Sequence, residues 1–237
     1  MYFKCLIFFI YIFIMIPIAH RGLKPENSMK GFQRSVNLGF KAIECDVHLT
    51  KDNVPVVIHD EYIEKNKQII YIQDCFVKDI VKYKIPTLEE VLYFLNTYGK
   101  DVHLYIEIKD IGELNNKKIV KNVLELVQNF NKINECTIIS FNTKVIKLAK
   151  TICPEITTGI ICSIMGCSDF INLVKNSNAD TLWMYYELIT DNFMKICNDN
   201  NIHVVAWTVN KKRDMNHLKK LGVKSIVSDS VKALYIL

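Results

Sequence analysis

Short apolar runs rich in β-branched residues alternate with segments of helical periodicity from one end of this 237-residue chain to the other. That alternation confines the fold to parallel βαβ units. The runs that predict strands are residues 15–19, 42–50, 103–108, 137–140, 157–162, 179–184, 203–209 and 225–228, eight in all. Between them, Met29, Phe32 and Val36 share one helical face and Gly39 follows as a stop, while Ile119, Val120, Val123, Leu124 and Val127 repeat the pattern. Thr87-Leu88-Glu89-Glu90 is a capping box after Pro86. No glycine-rich dinucleotide loop follows the first strand, so eight such units predict an α/β fold of the TIM (β/α)8 barrel type. One segment breaks the rhythm. Lys51-Asp52-Asn53 is a turn signal, and residues 54–60 then read as a short strand folding back as a β-hairpin after the second strand.

Single α/β barrels occupy roughly 200 to 250 residues, so residues 15–237 are expected to form one domain, with residues 1–14 as an apolar extension. Cys5 to Ile16 are all apolar and follow Lys4, the pattern of a signal peptide. Cleavage after Ala19 would remove the first strand, however, and the run is shorter than the about 20 residues that span a bilayer. The expectation is therefore a cytoplasmic protein that touches a membrane surface through residues 1–14; an anchored or exported protein is the alternative. The eight cysteines form no CxxC pair and several lie within apolar runs, which predicts reduced core cysteines. The net charge is +5, but the lysines are scattered without a basic stripe, so nucleic acid is not an expected partner.

In a barrel of this kind, chemistry collects where strands end. The first strand ends in His20-Arg21-Gly22, the second carries Glu44-Cys45-Asp46, and the third ends in Glu107-Ile108-Lys109. Alternate residues of a strand share a face, so Glu44 with Asp46, and Glu107 with Lys109, point the same way. Three carboxylates converging in a closed barrel repel one another and require a cation among them. Oxygen ligands select Mg²⁺ or Ca²⁺. Arg21 and Lys109 supply donors for an anion beside that cation, and a phosphoryl group satisfies both sets. His20 and His59, at a strand end and a hairpin end, are then candidate proton carriers for breaking a P–O bond. His48, His103, His203 and His217 are expected to be structural or exposed.

The set His20-Arg21-Gly22, Pro25-Glu26-Asn27-Ser28, Glu44-x-Asp46, Pro55-Val56-Val57-Ile58-His59-Asp60 and Glu107-Ile108-Lys109 resembles the signature of the glycerophosphodiester phosphodiesterases. Pro86-Thr87-Leu88-Glu89-Glu90, Ser140-Phe141, residues 206–210, Gly222-Val223 and Ser228-Asp229 extend the resemblance over most of residues 18–230. It implies a metal-dependent TIM-barrel hydrolase that splits small glycerophosphodiesters into sn-glycerol 3-phosphate and an alcohol. It also implies metal ligation by Glu44, Asp46 and Glu107, acid and base roles for His20 and His59, and phosphate binding by Arg21 and Lys109. Glu26 and Asn27 would arrange the first loop. Two roles fit Trp207: bordering the glycerol or leaving group, or packing at the barrel mouth. After His59-Asp60 the family's usual Arg-Thr and Gly-x-Gly run is replaced by Tyr62 to Lys67. Two alternatives stand beside this reading. One is a lysophospholipase D or sphingomyelinase D type of cleavage on membrane lipids; the other is a silent barrel that binds phosphodiesters.

Overall fold

The computed structural model describes residues 15–99, 101–163 and 170–236. The apolar extension of residues 1–14, with its predicted membrane contact, lies outside the described residues, as do Cys5 and Cys167.

The strands are β1 (Ile16–Ala19), β2 (Ala42–Leu49), β3 (Pro55–Val57), β4 (Tyr62–Lys65), β5 (Gln68–Tyr71), β6 (His103–Ile108), β7 (Cys136–Ser140), β8 (Thr157–Cys162), β9 (Thr181–Tyr185), β10 (His203–Trp207) and β11 (Ser225–Ser228). The helices are α1 (Met29–Leu38), α2 (Val77–Ile80), α3 (Leu88–Tyr98), α4 (Glu113–Asn129), α5 (Thr143–Ile152), α6 (Phe170–Ser177), α7 (Asp191–Asp199) and α8 (Lys212–Lys220). Eight parallel strands run in the order β1-β11-β10-β9-β8-β7-β6-β2, and β1 pairs with β2 through Ala19 and Ile43 to close the barrel. This is the predicted (β/α)8 architecture.

Local chemistry places the helix ends. Ser28 caps α1 by accepting from the Gly31 amide, and Gly39 ends it with φ 92°, a conformation that costs a glycine little. Thr87 and Glu90 form the expected capping box on α3, with Thr87 Oγ1 accepting from the Glu90 amide at 3.1 Å and Glu90 Oε2 from the Thr87 amide at 2.8 Å. On β2, Ile43, Cys45 and Val47 face the surrounding helices within the main apolar core. Ile18, Ala42, Ile139, Ile161, Val205 and Val227 pack with Trp183 inside the barrel instead. Trp183 is fully buried there because Gly159 leaves room for it: a Cβ at Gly159 would sit 2.6 Å from Trp183 Nε1. The barrel is thus plugged at mid-height, and a site can form only above the plug.

The predicted fold-back after the second strand is present. β3 pairs antiparallel with β2, Val47 opposite Val57 and Leu49 opposite Pro55. A further hairpin, β4 with β5, follows at once and holds the Tyr62 to Lys65 stretch that departs from the family pattern. Ile63 packs beneath it against Val56, Ile72 and Ile80. The described cysteines are free, and all but Cys75 are buried. Among the described residues, no helix is long and apolar enough to cross a membrane.

Candidate active site

Strand register assembles the acidic cluster. Asp46 on β2 lies beside Glu107 on β6, and Glu44 lies beside Tyr105, so all three carboxylates project inward above Trp183. Glu44, Asp46 and Glu107 each offer an oxygen within 4.8 Å of the others. Glu44 and Asp46 are fully buried, at 3% and 1% exposure.

The loop after β1 folds tightly over this cluster. Arg21, Gly22, Leu23 and Asn27 all have positive φ, which turns the Arg21 amide toward Glu44 Oε2 at 2.8 Å. Gly22 is required in this loop, because a Cβ there would meet the Phe32 ring at 2.3 Å. The Arg21 guanidinium reaches Glu26 through Nη1 at 2.9 Å, and its Nε lies 3.2 Å from Asp46 Oδ2 without the alignment a hydrogen bond needs. Asn27 donates to Asp46 Oδ2 at 2.7 Å and accepts from the Asp46 amide at 3.2 Å, tying the loop to β2. Lys109 Nζ ion-pairs with Asp46 Oδ1 at 2.7 Å and Glu107 Oε1 at 2.5 Å.

Both candidate proton carriers reach the same pocket. His20 Nδ1 is 2.6 Å from Asp229 Oδ1, while its Nε2 faces inward, 3.9 Å from Glu44 Oε2. His59 Nδ1 is 2.7 Å from Asp60 Oδ1, and the His59 carbonyl lies 3.0 Å from His48 Nε2. In each histidine, Nε2 is therefore the nitrogen left for chemistry. The pocket measures about 160 Å³ and is lined on its polar side by His20, Arg21, Glu44, His59, Glu107 and Lys109. Trp207 and Phe141 form its apolar wall, their rings edge-on at 5.7 Å, with Tyr185 5.9 Å from Trp207 on the other side.

The electrostatics are unbalanced. Burial, and then repulsion from Asp46 and Glu107, holds the Glu44 carboxyl well above the usual range. Burial raises Glu107 as well, with Asp46 adding repulsion against the pull of Lys109. Asp46 is also buried, but Lys109 and Arg21 outweigh that cost and hold it below the usual range. Those carboxylates in turn keep Lys109 and Arg21 firmly protonated despite burial. Three acids thus face two cations. Three buried polar atoms among the described residues lack a hydrogen-bond partner, Glu44 Oε1, Arg21 Nε and Trp207 Nε1, and all three residues line this one pocket. One is a carboxylate acceptor and two are N–H donors, so unused acceptor and donor capacity lie side by side.

Residues 19–233 match the sequence profile of the Glycerophosphoryl diester phosphodiesterase family. The chain belongs to that family of phosphodiester hydrolases. A glycerophosphodiester phosphodiesterase of Caldanaerobacter subterraneus subsp. tengcongensis is 30% identical over 92% of this chain and 95% of its own length. Among solved structures, a glycerophosphodiester phosphodiesterase from Parabacteroides distasonis superposes with a TM-score of 0.83 at 25% identity, covering 94% of this chain and 96% of its own. An Oleispira antarctica phosphodiesterase solved in complex with the product sn-glycerol-3-phosphate superposes with a TM-score of 0.84 at 23% identity, covering 95% and 98%.

All eight residues singled out from the sequence thus reach this family's barrel mouth: His20, Arg21, Glu44, Asp46, His59, Glu107, Lys109 and Trp207. Asp229, the carboxylate against His20, received no role from the sequence, although it ends the last strand where a charged residue is poor core material. His48 continues the inward row of Glu44 and Asp46 on β2; the alternation carried that signal too. His103 and His203 lie at strand starts, bonded to Thr137 and Ser225, and burial lowers both.

Proposed function

We propose that this chain hydrolyses small glycerophosphodiesters to sn-glycerol 3-phosphate and an alcohol, in a reaction that requires a divalent cation. The observation that carries the reading is the placement of the orphaned atoms: a buried carboxylate oxygen without a partner and unpaired donors share one pocket. Glu44, Asp46 and Glu107 would hold the ion, and their all-oxygen donor set suits Mg²⁺ or Ca²⁺. When bound, it supplies charge neutralisation and polarisation of a phosphoryl oxygen. A divalent cation together with a phosphodiester monoanion brings the three acids and two cations to neutrality, a condition neither ligand meets alone.

Within this reading, Arg21 and Lys109 orient the phosphate and offset its charge as the transition state forms. One imidazole takes the proton of the attacking oxygen at Nε2, a P–O bond forms, and the other imidazole delivers a proton from Nε2 to the departing alkoxide. The nucleophile is water or the glycerol's own neighbouring hydroxyl. Asp229 and Asp60 occupy the two Nδ1 positions, so neither ring must turn to act. Trp207 and Phe141 border the glycerol or the leaving group. A volume of about 160 Å³ suits a small polar substrate. The related Oleispira enzyme, seen with sn-glycerol-3-phosphate, supports that substrate class.

His59→Ala and Glu44→Ala should each lower kcat on glycerophosphodiesters by orders of magnitude while the circular dichroism of the barrel is unchanged. Near-normal turnover in either folded variant refutes the assignment.

A further inference from the structure

Asp229 and Asn210 lie in the last two strand-to-helix segments, far in sequence from the residues proposed to act. Their contacts are nonetheless organised around His20. Asp229 Oδ1 faces His20 Nδ1 at 2.6 Å. The other oxygen, Oδ2, accepts from Asn210 Nδ2 at 2.7 Å. The Asn210 carbonyl oxygen accepts in turn from the Asp229 amide at 2.9 Å and from Ser228 Oγ at 3.1 Å. Every polar atom of the Asn210 side chain is thus committed to Asp229 or its neighbour. This network also fixes the orientation of the Asn210 amide: turning it over would face its NH₂ toward the Asp229 amide and its oxygen toward the carboxylate.

The second histidine offers a contrast. His59 is held by Asp60, its immediate neighbour in the chain, whose side chain is 58% exposed and has no brace of this kind among the described residues. Water competes for that contact, whereas the Asp229 carboxylate is braced by Asn210.

We propose that Asn210 and Asp229 are positioning residues for His20, locking its imidazole with Nδ1 protonated toward Asp229 and the Nε2 lone pair directed into the pocket. A carboxylate can only accept, so Asp229 requires the hydrogen on Nδ1 and thereby assigns Nε2 its free lone pair. Asn210 acts one step further out, by preventing the carboxylate from rotating away. The proposal rests on the reading of His20 as a proton carrier, and it adds the groups that set the ring's tautomer and orientation.

Asp229→Asn is the informative substitution because it keeps shape and removes the charge. An amide at this place can offer its NH₂ to Nδ1, which moves the ring hydrogen to Nε2 so that this nitrogen no longer takes up a proton, and it removes the charge that offsets an imidazolium. Loss of a charge-assisted hydrogen bond corresponds to a fall in kcat on the order of 10²-fold, with KM for glycerophosphocholine changed less than about threefold. Asn210→Ala should lower kcat by only about fivefold, one ordinary hydrogen bond. The double variant should be no slower than Asp229→Asn alone, because Asn210 works through Asp229. Fold losses that multiply, or a kcat for Asp229→Asn within threefold of the parent, overturn the proposal. Imidazole ¹⁵N shifts of His20 in the parent protein test it without turnover: a protonated Nδ1 with a bare Nε2 at neutral to alkaline pH supports it, and the opposite tautomer overturns it. That spectrum stands even if the chain turns over no glycerophosphodiester, an outcome that would remove the functional proposal alone. It stands equally if Asp229→Asn fails to fold.

Discussion

Replacing Glu44 with glutamine should make the metal-free protein more stable while removing its activity. Glu44 is buried at 3% exposure, one of its oxygens accepts from the Arg21 amide, and the other has no partner among the described residues. It also faces Asp46 and Glu107 within 4.8 Å. Glutamine keeps the acceptor for Arg21, removes a surplus negative charge, and sets an NH₂ donor among the remaining carboxylates. An unsatisfied buried polar group costs about 1–3 kcal/mol, so the gain should be of that size. For a domain of 150–250 residues this corresponds to a Tm rise of roughly 2–12 °C. The pH dependence follows from the direction of the Glu44 shift. Its folded-state value lies well above the ordinary 4.5, so the native protein keeps a proton that the unfolded chain has lost. Stability of the parent therefore falls as pH rises from 4.5 toward the folded value. The variant lacks this loss, so its advantage should be small at pH 4 and should grow as pH rises above 4.5 toward the folded value. Thermal melts of both proteins in excess chelator, across that range, measure it. An advantage of Glu44→Gln that does not grow as pH rises above 4.5 would refute the argument that the Glu44 carboxylate is held without a compensating positive charge.

Other perturbations test the neighbouring parts of the account. Lys109→Met leaves Asp46 and Glu107 facing each other without their shared ammonium, and loss of one partner of a buried pair costs about 3–5 kcal/mol. Calorimetry in chelator should show that loss, and added Ca²⁺ or Mg²⁺ should return part of it. Gly159→Ala places a Cβ 2.5 Å from Thr181 Oγ1 and 2.6 Å from Trp183 Nε1, an overpacking that should destabilise by about 1–3 kcal/mol and alter the tryptophan near-UV signal. An unchanged Tm would show that Trp183 does not plug the barrel as described.

The barrel was legible in the sequence because its strands are bounded by hard local signals. Gly39 ends α1, Thr87 and Glu90 open α3, and β6, β8 and β11 match the predicted runs residue for residue. The acidic cluster was legible for a related reason: alternation on a strand fixes direction, so Glu44, Asp46, Glu107 and Lys109 could be read as inward-facing once β2 and β6 were placed. What depends on contacts between distant segments was not legible. Spacing could not pair His20 with Asp229 across 209 residues, nor show Asn27 clamping Asp46 or His48 reaching the His59 carbonyl. The β4–β5 hairpin was obscured differently, since its outward face carries Tyr62, Ile69 and Tyr71, and exposed apolar residues blur the alternation that marks a strand. The resemblance to known phosphodiesterases supplied candidate roles; the register supplied the physical reason for them.

The most direct test of the account is the release of sn-glycerol 3-phosphate from glycerophosphocholine by the protein stripped with chelator and then supplied with Mg²⁺ or Ca²⁺. Release should be absent in chelator, restored with one of these ions, and absent from Glu44→Gln under either condition. Undiminished release in chelator, or none with either cation, would contradict it.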